Sequence, residues 1–157
     1  MNKKEIFVIC HNIRSRHNIG SIFRTADGAG VSKIFLCGIT PSPPHPNIEK
    51  VSLGAENFVE WEKSKETWRV IEKLKKENFE IVALEQTKNS ISLDQTDNGC
   101  RFGKKIALIL GEEVKGLPKT ILKKSNKIIQ IPMYGKKESL NVSVAFGIAV
   151  YKLRDVF

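Results

Sequence analysis

Residues 18–26 place an amide, a glycine and a guanidinium on one short predicted helix. Asn18 precedes the helical pattern, and we predict it to be the N-cap because an amide oxygen there accepts orphan backbone N–H groups. Arg24 follows about one and a half turns later. The two side chains suit a phosphate or a ribose, although a capped surface helix with a solvated Arg24 explains this segment equally well.

Two later segments carry polar residues just after predicted strands. The sequence GEEVKGLP at residues 111–118 follows the apolar run at residues 106–110. The sequence SLNVSVA at residues 139–145 follows Ile131-Pro132-Met133 and opens the last predicted helix. All three segments therefore lie at junctions between a predicted strand and a loop.

In this order and at these spacings, the three segments resemble the signature motifs of the SpoU/TrmH family of RNA ribose 2′-O-methyltransferases. The resemblance covers nearly the whole chain. It implies an α/β fold of the SPOUT class: a single catalytic domain over residues 1–157, with a parallel sheet flanked by helices and a C-terminal trefoil knot. It also implies S-adenosylmethionine as the cofactor, RNA as the substrate and a homodimer.

The resemblance implies a catalytic set of five polar side chains: Asn18, Arg24, Glu113, Ser139 and Asn141. Arg24 is the residue that it marks for activation of the ribose hydroxyl. Because a guanidinium is effectively always protonated, we favour a charged Arg24 that stabilises the forming alkoxide over a general base.

The other four members have less specific expected roles. Glu113 is expected to orient Arg24 or a backbone amide, and Glu112 could take its place, but the family spacing selects Glu113. Asn18 and Asn141 are expected to fix the ribose and its phosphate. Ser139 either caps the last helix or contacts the substrate.

The cofactor is expected to lie in the knot, held largely by main-chain groups. The family pattern implies that these groups belong to Leu84, Glu85, Leu110, Gly111, Ile131, Met133, Ser139 and Leu140. A glycine at position 111 lets the backbone approach a ligand. Apolar residues such as Ile131, Met133 and Leu140 can form walls around an adenine.

The charge of the chain favours a polyanionic partner. It has 26 Lys and Arg against 17 Asp and Glu, a formal charge of +9, and phosphate neutralisation drives nucleic-acid affinity. Arg14 and Arg16, together with Arg24, are the expected RNA contacts, while most other basic residues are interpreted as solvated surface. Residues 85–87 resemble a segment of tRNA-directed family members, so tRNA is the favoured substrate and rRNA the second choice.

A non-catalytic basic RNA-binding module on the same fold is the alternative function. Such a module has no reason to keep all five polar residues of the catalytic set. A P-loop ATPase is excluded, because Leu117-Pro118 stands where the Lys and Ser/Thr of that motif are required.

The cysteines and histidines indicate neither a disulfide framework nor a metal site. The three cysteines lack Cys-x-x-Cys spacing, and we expect buried reduced thiols at positions 10, 37 and 100. His11, His17 and His45 lack ligand partners at metal-binding spacing. No apolar run approaches the roughly 18 residues of a membrane span, and we expect a cytoplasmic protein.

Apolar runs alternate with helical patterns along the chain, which predicts a parallel sheet. We predict strands at residues 6–10, 33–37, 58–61, 81–84, 106–110 and 128–131. Ser64 is predicted to cap a helix whose inner face carries Trp68, Ile71 and Leu74, and Pro118 to open another helix. The last helix is predicted to bury Val142, Ala145, Phe146, Ala149 and Leu153. Residues 38–46 are proline-rich and predict a surface loop that could fold over a ligand.

Overall fold

The computed structural model describes residues 3–96 and 101–155. Its centre is a seven-stranded sheet in which every pairing is parallel. The strands are β1 (Glu5–His11), β2 (Lys33–Cys37), β3 (Glu60–Ser64), β4 (Glu80–Leu84), β5 (Ile91–Ser92), β6 (Lys105–Leu110) and β7 (Lys127–Gln130), in the order β3-β2-β1-β6-β4-β7-β5. The predicted parallel α/β sheet is confirmed.

Five α-helices cover the two faces of this sheet. They are α1 (Arg16–Gly28), α2 (Pro46–Ser52), α3 (Thr67–Lys76), α4 (Lys119–Lys124) and α5 (Val142–Leu153). Successive strand residues point to opposite faces, so Val8 belongs to one buried cluster and Ile9 to the other. The first cluster joins the sheet to α1, α2 and α5, and the second joins it to α3 and α4. Because both faces are covered, the central strands are continuous apolar runs.

The long strands end at nearly the same level. His11 lies beside Cys37 and Cys37 beside Ser64, while Cys10 and Leu84 both pair with Leu110. The loops that follow these strands therefore gather at one edge of the sheet. In open parallel sheets this carboxyl edge is where ligands bind.

The start of α1 differs from the prediction that Asn18 is its N-cap. The cap is Ser15, whose hydroxyl oxygen accepts the Asn18 N–H at 3.1 Å. A serine three residues ahead of Asn18 satisfies that amide, which leaves the Asn18 side chain available for other bonds. The end of the helix agrees with the prediction, because α1 stops at Gly28 and Gly30 has a left-handed φ of 67°.

The region around α3 shows two further differences. The strand predicted at residues 58–61 begins at Glu60, and Phe58 is 79% exposed. Ser64 ends β3 rather than capping α3. The buried stripe of α3 is Thr67, Val70, Ile71 and Leu74, and Trp68, which lies outside it, is 46% exposed.

The proline-rich segment forms a loop that ends in a helix the sequence pattern did not predict. His45 caps α2 with a ring nitrogen that accepts the Asn47 N–H at 3.1 Å, and Pro46 is the first helical residue. This helix packs closely on α1. A Cβ at Gly20 would lie 2.6 Å from the Ile48 carbonyl oxygen, so the contact requires glycine.

Cys10 and Cys37 are buried free thiols in adjacent strands, as predicted. They belong to the buried clusters on opposite faces of the sheet. Burial raises the pKa of both thiols, that of Cys37 to about 11, and a buried neutral thiol is unreactive. Cys100 lies outside the described residues.

Within residues 3–96 and 101–155, no helix is both long enough and apolar enough to cross a membrane. The last helix follows its prediction closely. Phe146, Ala149 and Leu153 are fully buried, with Val150 added to the stripe, while Val142 and Ala145 are half-buried. The trefoil knot implied by the family resemblance stays a prediction.

Candidate active site

A cleft of about 260 Å³ opens at the carboxyl edge of the sheet. Its walls are the ends of β4, β6 and β7, the loops that follow them, and the start of α5. The structure brings together all eight residues predicted to hold the cofactor: Leu84, Glu85, Leu110, Gly111, Ile131, Met133, Ser139 and Leu140. Their role in binding stays a prediction.

The walls of the cleft combine apolar side chains with unpaired main-chain groups. Ile131, Met133 and Leu140 line it, as do Leu84 and Leu110. Among the residues that the structure describes, no hydrogen bond engages the backbone N–H or C=O of Met133, Ser139 or Leu140. An adenosine needs an apolar slot for its base and hydrogen-bonding groups at the rim. The residues present therefore fit the adenosine part of S-adenosylmethionine.

Glu85 fixes the shape of the loop at residues 111–118. One of its carboxylate oxygens accepts the Leu117 N–H at 2.8 Å, and the other accepts the Gln86 N–H at 2.9 Å. Gly116 has a left-handed φ of 65°, and a Cβ there would lie 2.1 Å from the Glu85 carboxylate. This role of the Glu85 side chain was not predicted, because the sequence does not show that the two loops meet.

Gly111 needs to be glycine for a reason that the sequence did not show. A Cβ at this position would lie 2.7 Å from the carbonyl carbon of Gly116 and 2.9 Å from the backbone nitrogen of Leu117. The requirement thus comes from the closing of its own loop.

The Glu113 carboxylate joins this loop to the start of α1. It accepts the backbone N–H groups of Arg14 at 3.2 Å and Ser15 at 3.1 Å, and the side-chain amide of Asn18 at 3.2 Å. Glu112 makes no such contact, since its carboxylate accepts the Lys115 N–H at 3.2 Å. Of the two acidic residues, only Glu113 bridges the two motifs.

Asn18 and Asn141 extend the connection to the last helix. The Asn141 amide nitrogen donates to the Asn18 side-chain oxygen at 3.1 Å. The Asn141 oxygen caps α5 by accepting the backbone N–H groups of Ser143 at 2.9 Å and Val144 at 3.4 Å. Asn141, not Ser139, is therefore the cap. Ser139 is exposed on the wall of the cleft.

The surroundings of Glu113 keep it ionised. Its partial burial alone raises the pKa, but hydrogen bonds from its own backbone N–H, from Ser15 and Arg14, and from the Asn18 amide outweigh burial, so the net pKa lies below its ordinary value. We call the hydrogen bonds that join Glu113, Asn18 and Asn141 the Glu113 network. The N-termini of α1 and α5 also meet at this network, and helix N-termini favour negative charge. The network is thus anionic at neutral pH and held mainly by backbone donors.

Arg24 is the catalytic candidate that the structure leaves apart from this group. It is exposed on α1, does not line the cleft, and has no hydrogen bond or ion pair within the described part of the chain. Arg24 lies six positions after Asn18 on α1. This spacing places the two residues about 9 Å apart along the helix axis and about a third of a turn apart around it. Of the two roles expected for Glu113, the single chain shows the second, because its carboxylate orients backbone amides and not Arg24.

Two other predicted RNA contacts lie beside the network. Arg14 precedes α1, Arg16 is its first residue, and both are exposed. The backbone of Arg14 is held by Glu113, so its side chain starts from a fixed point next to the cleft. In the described ranges, no cluster of three or more His, Cys, Asp or Glu could hold a metal ion.

Comparisons with known proteins agree with this geometry. A model of the SpoU rRNA Methylase family matches residues 5–151. The chain is 32% identical to tRNA (guanosine(18)-2′-O)-methyltransferase of Aquifex aeolicus, over 96% of this chain and 69% of that protein. It is 29% identical to the putative TrmH family tRNA/rRNA methyltransferase YacO of Bacillus subtilis, over 97% of this chain and 59% of that protein.

A solved structure of a methyltransferase also has a fold similar to that of this chain. The AdoMet-bound rRNA methyltransferase from Sinorhizobium meliloti matches with a TM-score of 0.87 at 27% identity, over 98% of this chain and 57% of that one. The chain spans 57 to 69% of the length of these three proteins.

The Glu113 network predicts a pH-dependent loss of stability in Glu113→Gln. At pH 7 we expect the free energy of unfolding to fall by about 1 kcal/mol, less than for a fully buried carboxylate, because the side chain is partly exposed to solvent. A lowered folded-state pKa stabilises the protein above the unfolded pKa near 4.5, and this contribution is lost as the pH falls through the folded-state pKa. Urea unfolding at several pH values should therefore show the two proteins converging in acid.

Glu112→Gln is the matched control, because Glu112 accepts only a local bond from the backbone of its own loop. It should change stability little at any pH. A Glu113→Gln deficit that persists unchanged below pH 4 contradicts the assignment to the ionised carboxylate.

Proposed function

The chain belongs to the SpoU methylase family, and from this membership we propose that it is an S-adenosylmethionine-dependent RNA ribose 2′-O-methyltransferase. The observation that carries the proposal is the network of Asn18, Glu113 and Asn141 at the edge of a cleft whose walls fit an adenosine. The named relatives are methyltransferases, and none of them supports the alternative of a non-catalytic RNA-binding module. Residues 1–157 form its catalytic domain, knotted near the C-terminus.

The reaction needs a methyl donor and a ribose hydroxyl held in line. When bound, S-adenosylmethionine supplies a methyl group on a positively charged sulfur. The ribose 2′-oxygen forms a bond to that methyl carbon, the carbon–sulfur bond breaks, and the hydroxyl proton leaves to solvent or to a nearby acceptor. The chain contributes position and electrostatics, which are the main requirements of such a transfer.

The residues at the edge of the cleft divide this work. Asn18, which is buried, and Asn141, which lines the cleft, hold each other by a side-chain hydrogen bond, and this pair fixes the edge of the cleft where a ribose would enter. Ser139 adds a hydroxyl on the cleft wall. A charged Arg24 stabilises the oxygen as its negative charge develops.

RNA is the substrate because the chain carries a net charge of +9 and exposes Arg14 and Arg16 next to the cleft. The named relatives act on tRNA and on rRNA. We favour tRNA, because a tRNA-directed enzyme gives 32% identity over 96% of this chain. The cofactor is held without a metal ion, and the free thiols of Cys10 and Cys37 suit a cytoplasmic protein.

A homodimer completes the proposed site. Val144 and Ile148 lie one helical turn apart on α5, and their side chains are 51% and 37% exposed. Helix α5 packs beside α1, where a Cβ on Gly147 would lie 3.6 Å from the Thr25 methyl group. A second copy of the chain covers the apolar surface formed by Val144 and Ile148. It also brings its own Arg24 to the same interface. Since Arg24 lies apart from the cleft of its own chain, we infer that it serves the cleft of the other copy.

Methyl transfer to RNA tests the proposed function directly. Purified protein with labelled S-adenosylmethionine and total RNA should label tRNA, and nucleoside mapping should find a single 2′-O-methylated ribose. Calorimetry in the presence of a chelator should show undiminished cofactor binding, because the cleft holds it through backbone groups. A folded protein that binds no cofactor at millimolar concentration points to the non-catalytic alternative.

Arg24→Ala should lower methyl transfer by a factor on the order of a hundred, as loss of an oxyanion contact does. Folding and cofactor affinity should change little, because Arg24 is exposed and lies outside the cleft. Arg24→Lys keeps the charge but loses the planar fork, so it should stay far below the wild type. Single-turnover rates at saturating RNA measure the effect.

Arg69→Ala is the control for loss of a surface arginine, because Arg69 stacks on Trp68 on the opposite face of the sheet. It should retain the wild-type rate. Near-normal turnover by Arg24→Ala rules out the catalytic assignment.

Ile148→Glu should convert the dimer to a monomer and abolish methyl transfer, because it places a charge in an apolar interface. Sedimentation velocity measures the oligomeric state, and circular dichroism checks that the variant remains folded. Trp68→Glu, another exposed apolar position on the other face of the sheet, should remain a dimer. A wild-type protein that sediments as a monomer while active contradicts the proposal of a shared site.

A further inference from the structure

Residues 134–138 form a short segment that projects from the rim of the cleft. Met133 on one side of it and Ser139, Leu140 and Asn141 on the other side all line the cleft. The five residues between these anchors are exposed and are not part of the lining. Because the residues on both sides of it line the cleft, the segment borders the cleft, and RNA that reaches the cleft would pass beside it.

Tyr134 is the first residue of this segment, and 86% of its surface is exposed. It makes no hydrogen bond, ring contact or ion pair with any other described residue. A large aromatic side chain gains free energy when it is covered, and a tyrosine can be covered by a flat ring while its hydroxyl stays in water. The exposed ring beside the cleft can therefore stack on a planar group of a ligand.

The charges around Tyr134 indicate what that partner is. Lys136 and Lys137 are exposed on the same segment, with Glu138 as its one acidic member. Across the mouth, the loop at residues 111–118 exposes Val114, at 91%, and Lys115. Apolar surface with flanking lysines on both sides of an opening fits a base between two phosphates. It does not suit the same lysine-bearing surface on a second copy, because the two sets of lysines would repel each other.

We propose that Tyr134 stacks on an unpaired nucleobase of the RNA, next to the ribose to be methylated, with Lys136 and Lys137 on the flanking phosphates. This inference rests on the proposed function and adds the class of substrate to it. A base within a duplex is already stacked on both faces, whereas a base in a loop can be splayed out onto an aromatic side chain. The substrate is thus an unpaired nucleotide, and Tyr134 is a positioning residue.

The cofactor is a less suitable partner for this ring. Ile131, Met133 and Leu140 already supply apolar walls inside the cleft. Tyr134 is absent from that lining, so its ring does not border the space that an adenosine fills. The apolar walls inside the cleft therefore suit the cofactor, and the ring of Tyr134 outside the lining suits the RNA.

The test compares Tyr134→Ala, Tyr134→Phe and the control Phe58→Ala. Phe58 is also strongly exposed, at 79%, and lies beyond the cleft lining, in the turn before β3. Loss of a base-stacking ring typically weakens binding by about 1–3 kcal/mol, about 5- to 150-fold. We expect Tyr134→Ala to raise KM for tRNA on the order of ten-fold, with kcat at saturating RNA nearly unchanged. Tyr134→Phe keeps the ring and should restore KM, and Phe58→Ala should match the wild type.

Three further measurements separate the possible partners of Tyr134. Fluorescence anisotropy should show that Tyr134→Ala binds labelled tRNA more weakly but a fully paired RNA duplex as well as the wild type does. Calorimetry should give the same cofactor affinity, and sedimentation the same oligomeric state. A loss of cofactor affinity, or dissociation of the dimer, would overturn the proposal in favour of an adenine or a second copy.

The outcomes also separate this inference from the proposed function. If the wild type methylates RNA and Tyr134→Ala has an unchanged KM, the stacking role is wrong and the enzyme assignment stands. If the wild type methylates nothing but Tyr134→Ala binds tRNA more weakly, the reaction is wrong and the stacking role stands.

Discussion

The hydrogen bonds of the Glu113 carboxylate are the interaction on which the site depends. Three motifs that are far apart in the sequence meet because this carboxylate holds the start of α1 and Asn18 holds Asn141. Asn141 in turn caps α5, so the two helices that flank the cleft begin at the same network. An ionised carboxylate suits this position, because it accepts several hydrogen bonds at once and the helix N-termini favour its charge.

The walls of the cleft depend on a second carboxylate. Glu85 at the end of β4 accepts the Leu117 N–H and so closes the loop after β6 against its neighbouring strand. Gly111 and Gly116 are required by that closure, since a Cβ at either position would collide with the loop or with Glu85. Within the part of the chain that the structure describes, the backbone groups of Met133, Ser139 and Leu140, which also line the cleft, make no hydrogen bond. A site built mainly from backbone needs a fixed loop shape more than it needs particular side chains.

The sequence predicted the sheet well because its evidence is local. Buried parallel strands read as apolar runs, so β2 was predicted to the residue and β6 to within one residue. Helix starts were predicted less well, because Ser15, Asn18, Ser64 and Asn141 are all good caps and periodicity does not choose between them. Trp68 was predicted on one face with Ile71 and Leu74, but the buried stripe of α3 also takes in Thr67 and Val70 and leaves Trp68 partly exposed beside it. The five polar residues came from the family resemblance, but no pattern could show that Glu113 contacts the start of α1 and does not contact Arg24.

The position of Arg24 follows from helix geometry and has a consequence for the chemistry. Asn18 and Arg24 share α1, yet six residues of helix separate them by about 9 Å and turn them to different sides. Asn18 is committed to Glu113 and Asn141 inside one chain, whereas Arg24 is exposed and takes no part in that network. The single chain thus offers an anionic carboxylate and amides at its cleft, and it directs its guanidinium outward. In the proposed reaction a guanidinium would stabilise the negative charge that develops on the ribose oxygen, but in the single chain Arg24 does not line the cleft where that charge would form. The proposed dimer would resolve this conflict, because one copy of α1 would order the network while the α1 of the other copy would present the charge.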